Sequence, residues 1–245
     1  GDASAAIGIN NKDIIAKVLA TSSVSVDFVD HFRAPNEEFD YNWEERWIRD
    51  EGYLKIIPKL INNLLKENDI NPSEIKKFIL PCIFPRVPQT ISKICGIDPE
   101  NVVDNLSLNV GDSGSAHPLL MLTHVLENAE PNEKILVCSF GGGGDAILLE
   151  TTKLISKFKN DESISALLDN GVEETNYMKY LTFNDLVKWE KGMRGEIDRK
   201  TALTTLYRHN DAIIGLVGGK CSKTGTIQFP ASRISVSPNS PDIDT

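Results

Sequence analysis

Apolar positions in the first fifty residues follow strand-like spacing and then give way to a polar stretch. Two apolar runs, 5–9 and 14–22, flank Asn10-Asn11-Lys12-Asp13, which predicts a β-hairpin, and 24–29 continues the strand pattern. The segment 31–52 is polar and aromatic, which predicts an excursion over the surface. Its acidic run at 37–51 offers carboxylates for acid–base chemistry, but such a run is more often a solvated face.

Helical spacing is clearest in the stretch that follows. One face of a 3.6-residue repeat carries Tyr53, Ile56, Ile57, Leu60, Ile61, Leu64 and Leu65. We expect Pro58 to lie in the first turn of this helix or to kink it, because proline lacks an amide proton. Asn71-Pro72-Ser73-Glu74 predicts a capped helix start, with Glu74 facing the Asn71 cap.

The middle of the chain alternates strand and helix signals. In chain order the patterns predict a strand at 78–80, helical turns at 87–94 and 98–100, a helix after 111–115, and strands at 135–140 and 146–149. This alternation indicates an α/β layer structure. Residues 153–200 are charged and patchily helical, which indicates a connector, and the apolar runs 213–217 and 226–229 predict a small β unit. We therefore divide the chain into 1–152, a connector 153–205 and a terminal segment 206–245.

Composition excludes several classes of protein. The chain has 245 residues and a net charge of −9 (26 Lys+Arg against 35 Asp+Glu), which argues against general electrostatic binding of nucleic acid. A mean hydropathy of −0.21 and the lack of a long apolar run argue against a membrane span. Four scattered cysteines favour a reducing compartment, so we expect a cytoplasmic protein.

The chain begins without Met and runs straight into an apolar segment, so we expect it to be part of a longer protein.

Four consecutive glycines, Gly141–Gly144, form the most conspicuous motif. A phosphate-binding loop would continue into a helix with a Lys-Ser or Lys-Thr pair, whereas this run continues into Asp145 and an apolar strand. Two alternatives remain. The glycines form a tight turn between strands, or they let the main chain approach a substrate and hold an oxyanion with an N–H group.

Three polar side chains lie at the predicted start of one helix: Asp112, Ser113 and His117. Asp112 is explained by helix capping, and His117 could serve as a general base. Cys82 follows a predicted strand, where α/β proteins bind ligands, although a buried structural thiol is the simpler interpretation. Cys221 lacks the second cysteine of a Cys-x-x-Cys zinc knuckle, so we expect no metal.

In order along the chain, four segments resemble the C-terminal half of the thiolase superfamily, and most closely hydroxymethylglutaryl-CoA synthase and β-ketoacyl-ACP synthase III. They are Gly1-Asp2-Ala3-Ser4-Ala5-Ala6, Phe78-Ile79-Leu80-Pro81-Cys82, Gly111-Asp112-Ser113-Gly114-Ser115-Ala116 and Phe140-Gly141-Gly142-Gly143. Two matches carry substitutions. Cys82 stands where the family has His, and Asp112 stands where it has Asn.

The terminal segment resembles a second family, the zinc-ribbon and OB-fold proteins that accompany thiolase-like enzymes. The resemblance rests on Leu216-Val217-Gly218-Gly219-Lys220-Cys221 and on Gly225-Thr226-Ile227-Gln228-Phe229-Pro230. Thr224, Ser235 and Ser240 stand where three of the four metal-binding cysteines belong, which implies a ribbon without zinc. The OB barrel that would follow is absent from this sequence.

Together the resemblances imply the C-terminal half of a thiolase-like α/β/α fold, a helical connector and a small rubredoxin-like β ribbon. They imply part of a condensing acyltransferase that uses a coenzyme A thioester, with no further cofactor, and whose nucleophilic Cys lies in an N-terminal half. His117 would move protons, Asp112 would orient His117 or cap its helix, and the Gly142 N–H would hold the thioester oxygen. Cys82, Ser113, Gly141 and Gly143 would line the substrate cavity.

The implied partners are the N-terminal half, a second copy of the chain, and a thiolase or OB-fold protein, without nucleic acid or membrane. The alternative is a non-catalytic subunit that scaffolds enzymes or channels acyl-CoA.

Overall fold

The computed structural model of the chain describes residues 3–157, 163–188 and 203–237. These residues fall into two compact units, 1–173 and 174–245. The first two residues of the opening glycine–aspartate motif, Ser240 and the last five residues lie outside the described part of the chain. Within that part, no helix is long and apolar enough to cross a lipid bilayer.

The described part of the chain contains both strands and helices. The strands are β1 (Ala16–Ser25), β2 (His31–Phe32), β3 (Tyr41–Asn42), β4 (Ile75–Ile79), β5 (Lys134–Gly141), β6 (Gly143–Thr151), β7 (Gly219–Lys220) and β8 (Ile227–Gln228). The α-helices are α1 (Glu45–Trp47), α2 (Leu54–Glu67), α3 (Val87–Ile94), α4 (Ser107–Val110), α5 (His117–Glu127), α6 (Ile164–Asp169), α7 (Tyr177–Phe183), α8 (Leu203–Arg208) and α9 (Asn210–Ile213). Short 3₁₀ turns cover Pro72–Glu74, Pro99–Asn101, Gly114–Ala116 and Lys153–Lys157.

A four-stranded sheet forms the centre of the first unit, in the order β1-β6-β5-β4. β4 and β5 run parallel, whereas β6 runs antiparallel to both of its neighbours. β1, β4 and β5 therefore share one direction, and their carboxyl ends lie at the same edge of the sheet. Ligands of α/β proteins commonly bind at such an edge.

Each face of this sheet carries its own apolar core. Phe78 of β4, Leu136 of β5 and Leu148 of β6 face α2 and α3 and are fully buried. Ile79, Ile135 and Val137 face the other way and pack against α5. Adjacent residues of a strand point to opposite faces, so one strand supplies both cores. The sheet is thus covered by helices on both sides, as a layered α/β fold requires.

The predicted helix at 53–65 is confirmed as α2. Its predicted apolar face is buried from Ile56 to Leu65. Pro58 lies inside α2, and the chain just before α2 forms a wide π-helical turn, Ile48–Tyr53. Proline removes one helical hydrogen bond, but α2 continues through Pro58 to Glu67. The capping box is also confirmed, because Asn71 and Glu74 cap each other's amides, although it starts only a 3₁₀ turn.

Three strand predictions are wrong in whole or in part. Residues 5–9 form no strand, and neither does 26–29, so the first strand is limited to β1. In the terminal segment, Ile213 ends α9 and 214–217 contains no strand. Apolar spacing alone does not make a strand, because the main chain must also find a pairing partner. β1 finds that partner in β6, where Ala16 pairs with Thr151 and Ser25 with Gly143.

The second unit contains a two-stranded antiparallel hairpin of β7 and β8. The buried Cys221 follows β7, and its sulfur accepts the Thr224 N–H at 3.5 Å. The Gln228 side-chain nitrogen donates to the Ile234 carbonyl at 3.0 Å, and the Gln228 side-chain oxygen accepts the Val236 N–H at 2.9 Å. Internal hydrogen bonds therefore hold the turns of this hairpin together. The relation of 206–245 to a zinc ribbon stays a prediction, as do the predicted boundaries of the connector 153–205.

We expect Phe78→Ala to destabilise the protein strongly, because this fully buried ring joins β4 to α2 and α3. Loss of a buried phenylalanine ring costs about 3–5 kcal/mol of unfolding free energy. Phe39→Ala is the matched control, since Phe39 is 58% exposed, and it should change the free energy by less than about 0.5 kcal/mol. Urea denaturation of both variants tests this. Equal effects would contradict the described core.

Candidate functional site

A cavity of about 990 Å³ opens at the sheet edge where β1, β4 and β5 end. Six of the seven site residues predicted from the sequence line it: Cys82, Asp112, His117, Gly141, Gly142 and Gly143. Ser113, the seventh, contacts His117 directly. The structure therefore brings together three segments that are separated along the chain, namely the end of β4, the turn before α5 and the turn between β5 and β6.

Beside the end of β4, residues from several elements form an apolar and aromatic wall. Tyr53 packs against Phe140 with ring centroids 4.0 Å apart and meets the edge of Phe84 at 6.0 Å. Its hydroxyl donates to the Pro81 carbonyl at 3.4 Å. Burial raises the pKa of the Tyr53 phenol above its usual value, and the neighbouring Cys82 acts in the same direction. Tyr53 therefore remains a protonated hydrogen-bond donor beside the strand end.

Cys82 is a protonated thiol in this wall. It is only 6% exposed, and burial raises the pKa of its thiol to about 11. Hydrogen bonds from the Phe84 main chain and from the Tyr53 hydroxyl oppose this rise without cancelling it. The nucleophilic form of cysteine is the thiolate. Cys82 can therefore line the cavity but is a poor nucleophile near neutral pH.

Asn105 links the strand end to the helix α5. Its side-chain amide donates to the Cys82 carbonyl at 3.0 Å, and its main-chain carbonyl accepts from His117 Nε2 at 2.7 Å. The next residue, Leu106, is buried with a positive φ of 57°. A left-handed conformation is unfavourable for a leucine. The surrounding contacts thus hold this loop in one conformation, with its carbonyl directed at the imidazole.

The contacts of His117 define its tautomer. A carbonyl oxygen can only accept, so Nε2 carries the proton that is donated to Asn105. In the neutral ring Nδ1 is then the acceptor, and it lies 2.9 Å from Ser113 Oγ and 3.2 Å from the Ser113 amide nitrogen. His117 is only 4% exposed, and both of its nitrogens are hydrogen-bonded inside the protein. Any proton that reaches Nδ1 therefore arrives from the side of Ser113.

Asp112 contacts the turn that precedes α5. Its carboxylate accepts the Gly114 N–H at 2.8 Å, within the 3₁₀ turn Gly114–Ala116, whereas Ala116 occupies the cap position of α5 itself. The His117 ring is hydrogen-bonded to Ser113 through Nδ1 and donates to the Asn105 carbonyl through Nε2. The catalytic and substrate-binding roles assigned to these residues stay predictions.

The four glycines form the tight turn that was one of the two alternatives. Gly141 ends β5 and pairs with Gly143 at the start of β6, so Gly142 is the tip. Gly143 has a φ of +135°, and a Cβ there would lie 1.9 Å from the Val24 carbonyl oxygen. Gly141 and Gly142 instead have open space around the position of a Cβ. The fold thus requires glycine at 143, whereas 141 and 142 leave the main chain open to the cavity.

Sequence reasoning missed several residues of the cavity wall. Tyr53 was placed in the core because it falls on the apolar face of α2, and Asn105 carries no motif at all. His31, the first residue of the surface segment, and Asp30, just before that segment, also line the cavity, and His31 Nδ1 lies 2.9 Å from Asp30 Oδ1. The nearby run of carboxylates gave a weak signal for this segment, but nothing in it singled out Asp30.

No group of three or more His, Cys, Asp or Glu side chains that could hold a metal ion occurs among the residues that the structure describes. At the position of the resembled ribbon, Cys221 is a thiolate candidate, but Thr224 and Ser235 offer only neutral hydroxyl groups. Structural zinc sites are built from Cys and His. The absence of zinc from this segment stays a prediction.

Comparison with known protein families matches residues 65–150 to the 3-oxoacyl-[acyl-carrier-protein (ACP)] synthase III C terminal. A hydroxymethylglutaryl-CoA synthase of Methanopyrus kandleri is 26% identical over 193 residues, which cover 78% of this chain and 53% of that protein. A hydroxymethylglutaryl-CoA synthase of Caldivirga maquilingensis is 26% identical over 196 residues, with coverages of 78% and 56%. The chain thus spans about half the length of the curated relatives it matches.

The fold comparison agrees with these matches. The structure of 3-oxoacyl-[acyl-carrier-protein] synthase III from Aquifex aeolicus superimposes with a TM-score of 0.50 and 17% identity, covering 57% of this chain and 46% of that one. The predicted thiolase-like α/β fold is confirmed, with a central sheet covered by helices. The chain is similar to condensing acyltransferases at low identity.

The glycine turn yields a test of which glycines the fold needs. Gly143→Ala should lower the free energy of unfolding by at least about 2–3 kcal/mol, because its Cβ collides with the Val24 carbonyl and its φ is positive. Gly142→Ala should change it by less than about 0.5 kcal/mol, since a methyl group there meets open space. Thermal or urea unfolding measures both. A loss of equal size in the two variants would show that the turn is described wrongly.

Cys82 should react slowly with iodoacetamide, and its rate should rise steeply with pH. With a thiol pKa of about 11, only about one molecule in ten thousand is a thiolate at pH 7. We expect alkylation about 100-fold slower than that of an unstructured cysteine peptide, and a rate that rises roughly tenfold per pH unit below the pKa. Mass spectrometry of the Cys82 peptide measures this. A rate that levels off near neutral pH would identify an activated thiol instead.

Proposed function

We propose that this chain is part of a condensing acyltransferase that acts on acyl-CoA thioesters. The observation that carries the proposal is one cavity at the carboxyl ends of β1, β4 and β5, which collects three of the four motif segments. The match of residues 65–150 to a synthase C-terminal domain supports the same class of reaction. In this scheme an acyl group moves from coenzyme A to a cysteine in the N-terminal half. A carbon–carbon bond then forms by attack of an enolate.

The cavity wall suits a thioester in two ways. Tyr53, Phe84 and Phe140 provide an apolar surface for an acyl chain, and the open main chain at Gly142 can approach its carbonyl oxygen. In the proposed scheme the Gly142 N–H stabilises negative charge on that oxygen, as main-chain donors do in acyl transfer. His117 takes up and returns protons through Nδ1, on the side of Ser113.

A second candidate is a non-catalytic subunit that holds or channels acyl-CoA. It is favoured by the chemistry of Cys82 and Asp112, which stand at the family's His and Asn positions. Cys82 is a protonated, buried thiol, and an ionised Asp112 carboxylate accepts hydrogen bonds but cannot donate one to an enolate oxygen. Such a subunit would bind acyl-CoA in the same cavity without turnover.

Intact-mass measurement of the full-length protein with acetyl-CoA separates the two candidates. For the acyltransferase we expect an adduct of about 42 Da, the mass of acetyl in place of hydrogen, on one cysteine. Peptide mapping should place it outside Cys82, Cys95, Cys138 and Cys221, because all four thiols of this chain are buried. Burial raises the pKa of Cys95 to about 12, which further disfavours its thiolate.

The control is the same incubation after the protein has been treated with iodoacetamide at neutral pH. This treatment should abolish the adduct if an activated cysteine carries it. Binding of acetyl-CoA by calorimetry without any adduct would replace the acyltransferase by the channelling subunit. Absence of both adduct and binding would refute both candidates.

A further inference from the structure

We propose that Ser113 is a second acyl acceptor, activated by His117 and the main-chain carbonyl of Asn105. The proposal goes beyond the condensing reaction, because it assigns an oxygen nucleophile to this chain itself. It rests on the proposed function only for the acyl donor, an acyl thioester. The chemistry is acyl transfer to a serine hydroxyl, followed by transfer to water.

The contacts form a complete nucleophile–base–orienter series. Ser113 Oγ lies 2.9 Å from His117 Nδ1, within the range for proton transfer. His117 Nε2 lies 2.7 Å from the Asn105 carbonyl oxygen, which fixes the proton on Nε2 and leaves Nδ1 as an acceptor. Nδ1 faces the Ser113 hydroxyl and also accepts the Ser113 N–H at 3.2 Å. Such a series is recognised by geometry and roles and not by sequence order.

The orienting carbonyl is held firmly in place. The Asn105 side chain is anchored to the Cys82 carbonyl at 3.0 Å, and its Oδ1 accepts the Ser107 N–H at 3.1 Å. The adjacent Leu106 is buried at a positive φ, so this loop does not rotate freely. A positive charge that forms on His117 is therefore stabilised by a fixed dipole at Nε2.

The loop that carries Ser113 lies at the substrate cavity, although Ser113 itself is not among the residues that line it. Ser113 is half-buried, and Asp112 on one side of it and Gly114 on the other line the cavity wall together with His117. An acyl thioester that occupies the cavity thus lies next to the loop that carries the hydroxyl. His124, on the same helix, contacts Glu127 at 3.4 Å and does not line the cavity, which makes it a matched control for His117.

The proposed reaction balances with the groups named. Ser113 Oγ attacks the thioester carbonyl carbon while its proton passes to His117 Nδ1. The new C–O bond forms, the C–S bond breaks, and the coenzyme A thiolate leaves with the proton from Nδ1. In the second half, water gives its proton to Nδ1 and attacks the ester carbonyl, and Ser113 leaves with that proton. The net products are free coenzyme A and a carboxylic acid.

The test combines two probes on the full-length protein. A fluorophosphonate labels activated serines without any thioester, and acetyl-CoA tests transfer itself; tandem mass spectrometry locates each adduct. We expect both probes to modify Ser113. An acetyl ester on Ser113 should resist neutral hydroxylamine and be cleaved by alkaline hydroxylamine, whereas the cysteine thioester of the condensing reaction is cleaved by both. The two proposals can therefore fail separately.

Matched variants identify the mechanism. His117→Gln should reduce labelling of Ser113 by roughly 100-fold or more, as expected for loss of a general base, whereas His124→Gln should retain it. Ser113→Ala should remove the adduct, whereas Ser115→Ala, in the same loop, should leave it on Ser113. Ser113→Cys should restore an acetyl adduct that neutral hydroxylamine now cleaves. This last variant keeps the test decisive if Ser113→Ala does not fold.

Three results would overturn the proposal. They are an unmodified Ser113 in the folded protein with both probes, equal labelling in His117→Gln and His124→Gln, and labelling that moves to Ser115 without change in rate. Any of them would leave Ser113 as a hydrogen-bond donor that only holds the His117 ring. Detection of a cysteine thioester in the same sample would then still support the condensing reaction.

Discussion

The hairpin of β5 and β6 is the constraint on which the rest of the first unit depends. β6 carries β1 on its outer edge, and β5 carries β4 on its other edge, so both remaining strands attach to this hairpin. Its turn also forms one wall of the cavity. At the start of β6, Gly143 passes so close to the Val24 carbonyl that only a residue without a side chain fits. One close approach of two main chains therefore holds the sheet edge together and shapes the site.

The site gains its order from main-chain groups more than from side-chain pairs. The ring of His117 is fixed by the Asn105 carbonyl and by the amide and hydroxyl of Ser113, while the Asp112 carboxylate is used within its own turn. Positioning a main-chain acceptor costs little conformational entropy once the loop is fixed, and such an acceptor keeps the imidazole in one tautomer. A buried histidine that is hydrogen-bonded in this way has a fixed orientation, which a proton acceptor needs.

Sequence analysis located the main elements because their signals are local. The α2 face and the Asn71 capping box depend on spacing within a few residues, and the motifs around Cys82, Asp112 and Gly142 do converge on one cavity. The strand predicted at 5–9 does not form, since a strand also needs a pairing partner that apolar spacing does not reveal. Asn105 could not be found either, because a main-chain carbonyl is common to every residue and leaves no mark on the sequence.

The order of the strands has a consequence for how this chain is made. Ser23 of β1 donates to Asp145 of β6, a residue 122 positions later in the sequence. At 5–20 residues per second, a ribosome needs roughly 6–24 s to synthesise the intervening chain. During that interval β1 has emerged without the strand it pairs with, and its main-chain N–H and C=O groups lack their partners in the sheet. The unit can complete its sheet only near the end of its own synthesis, so its first strand is the last to gain its neighbour.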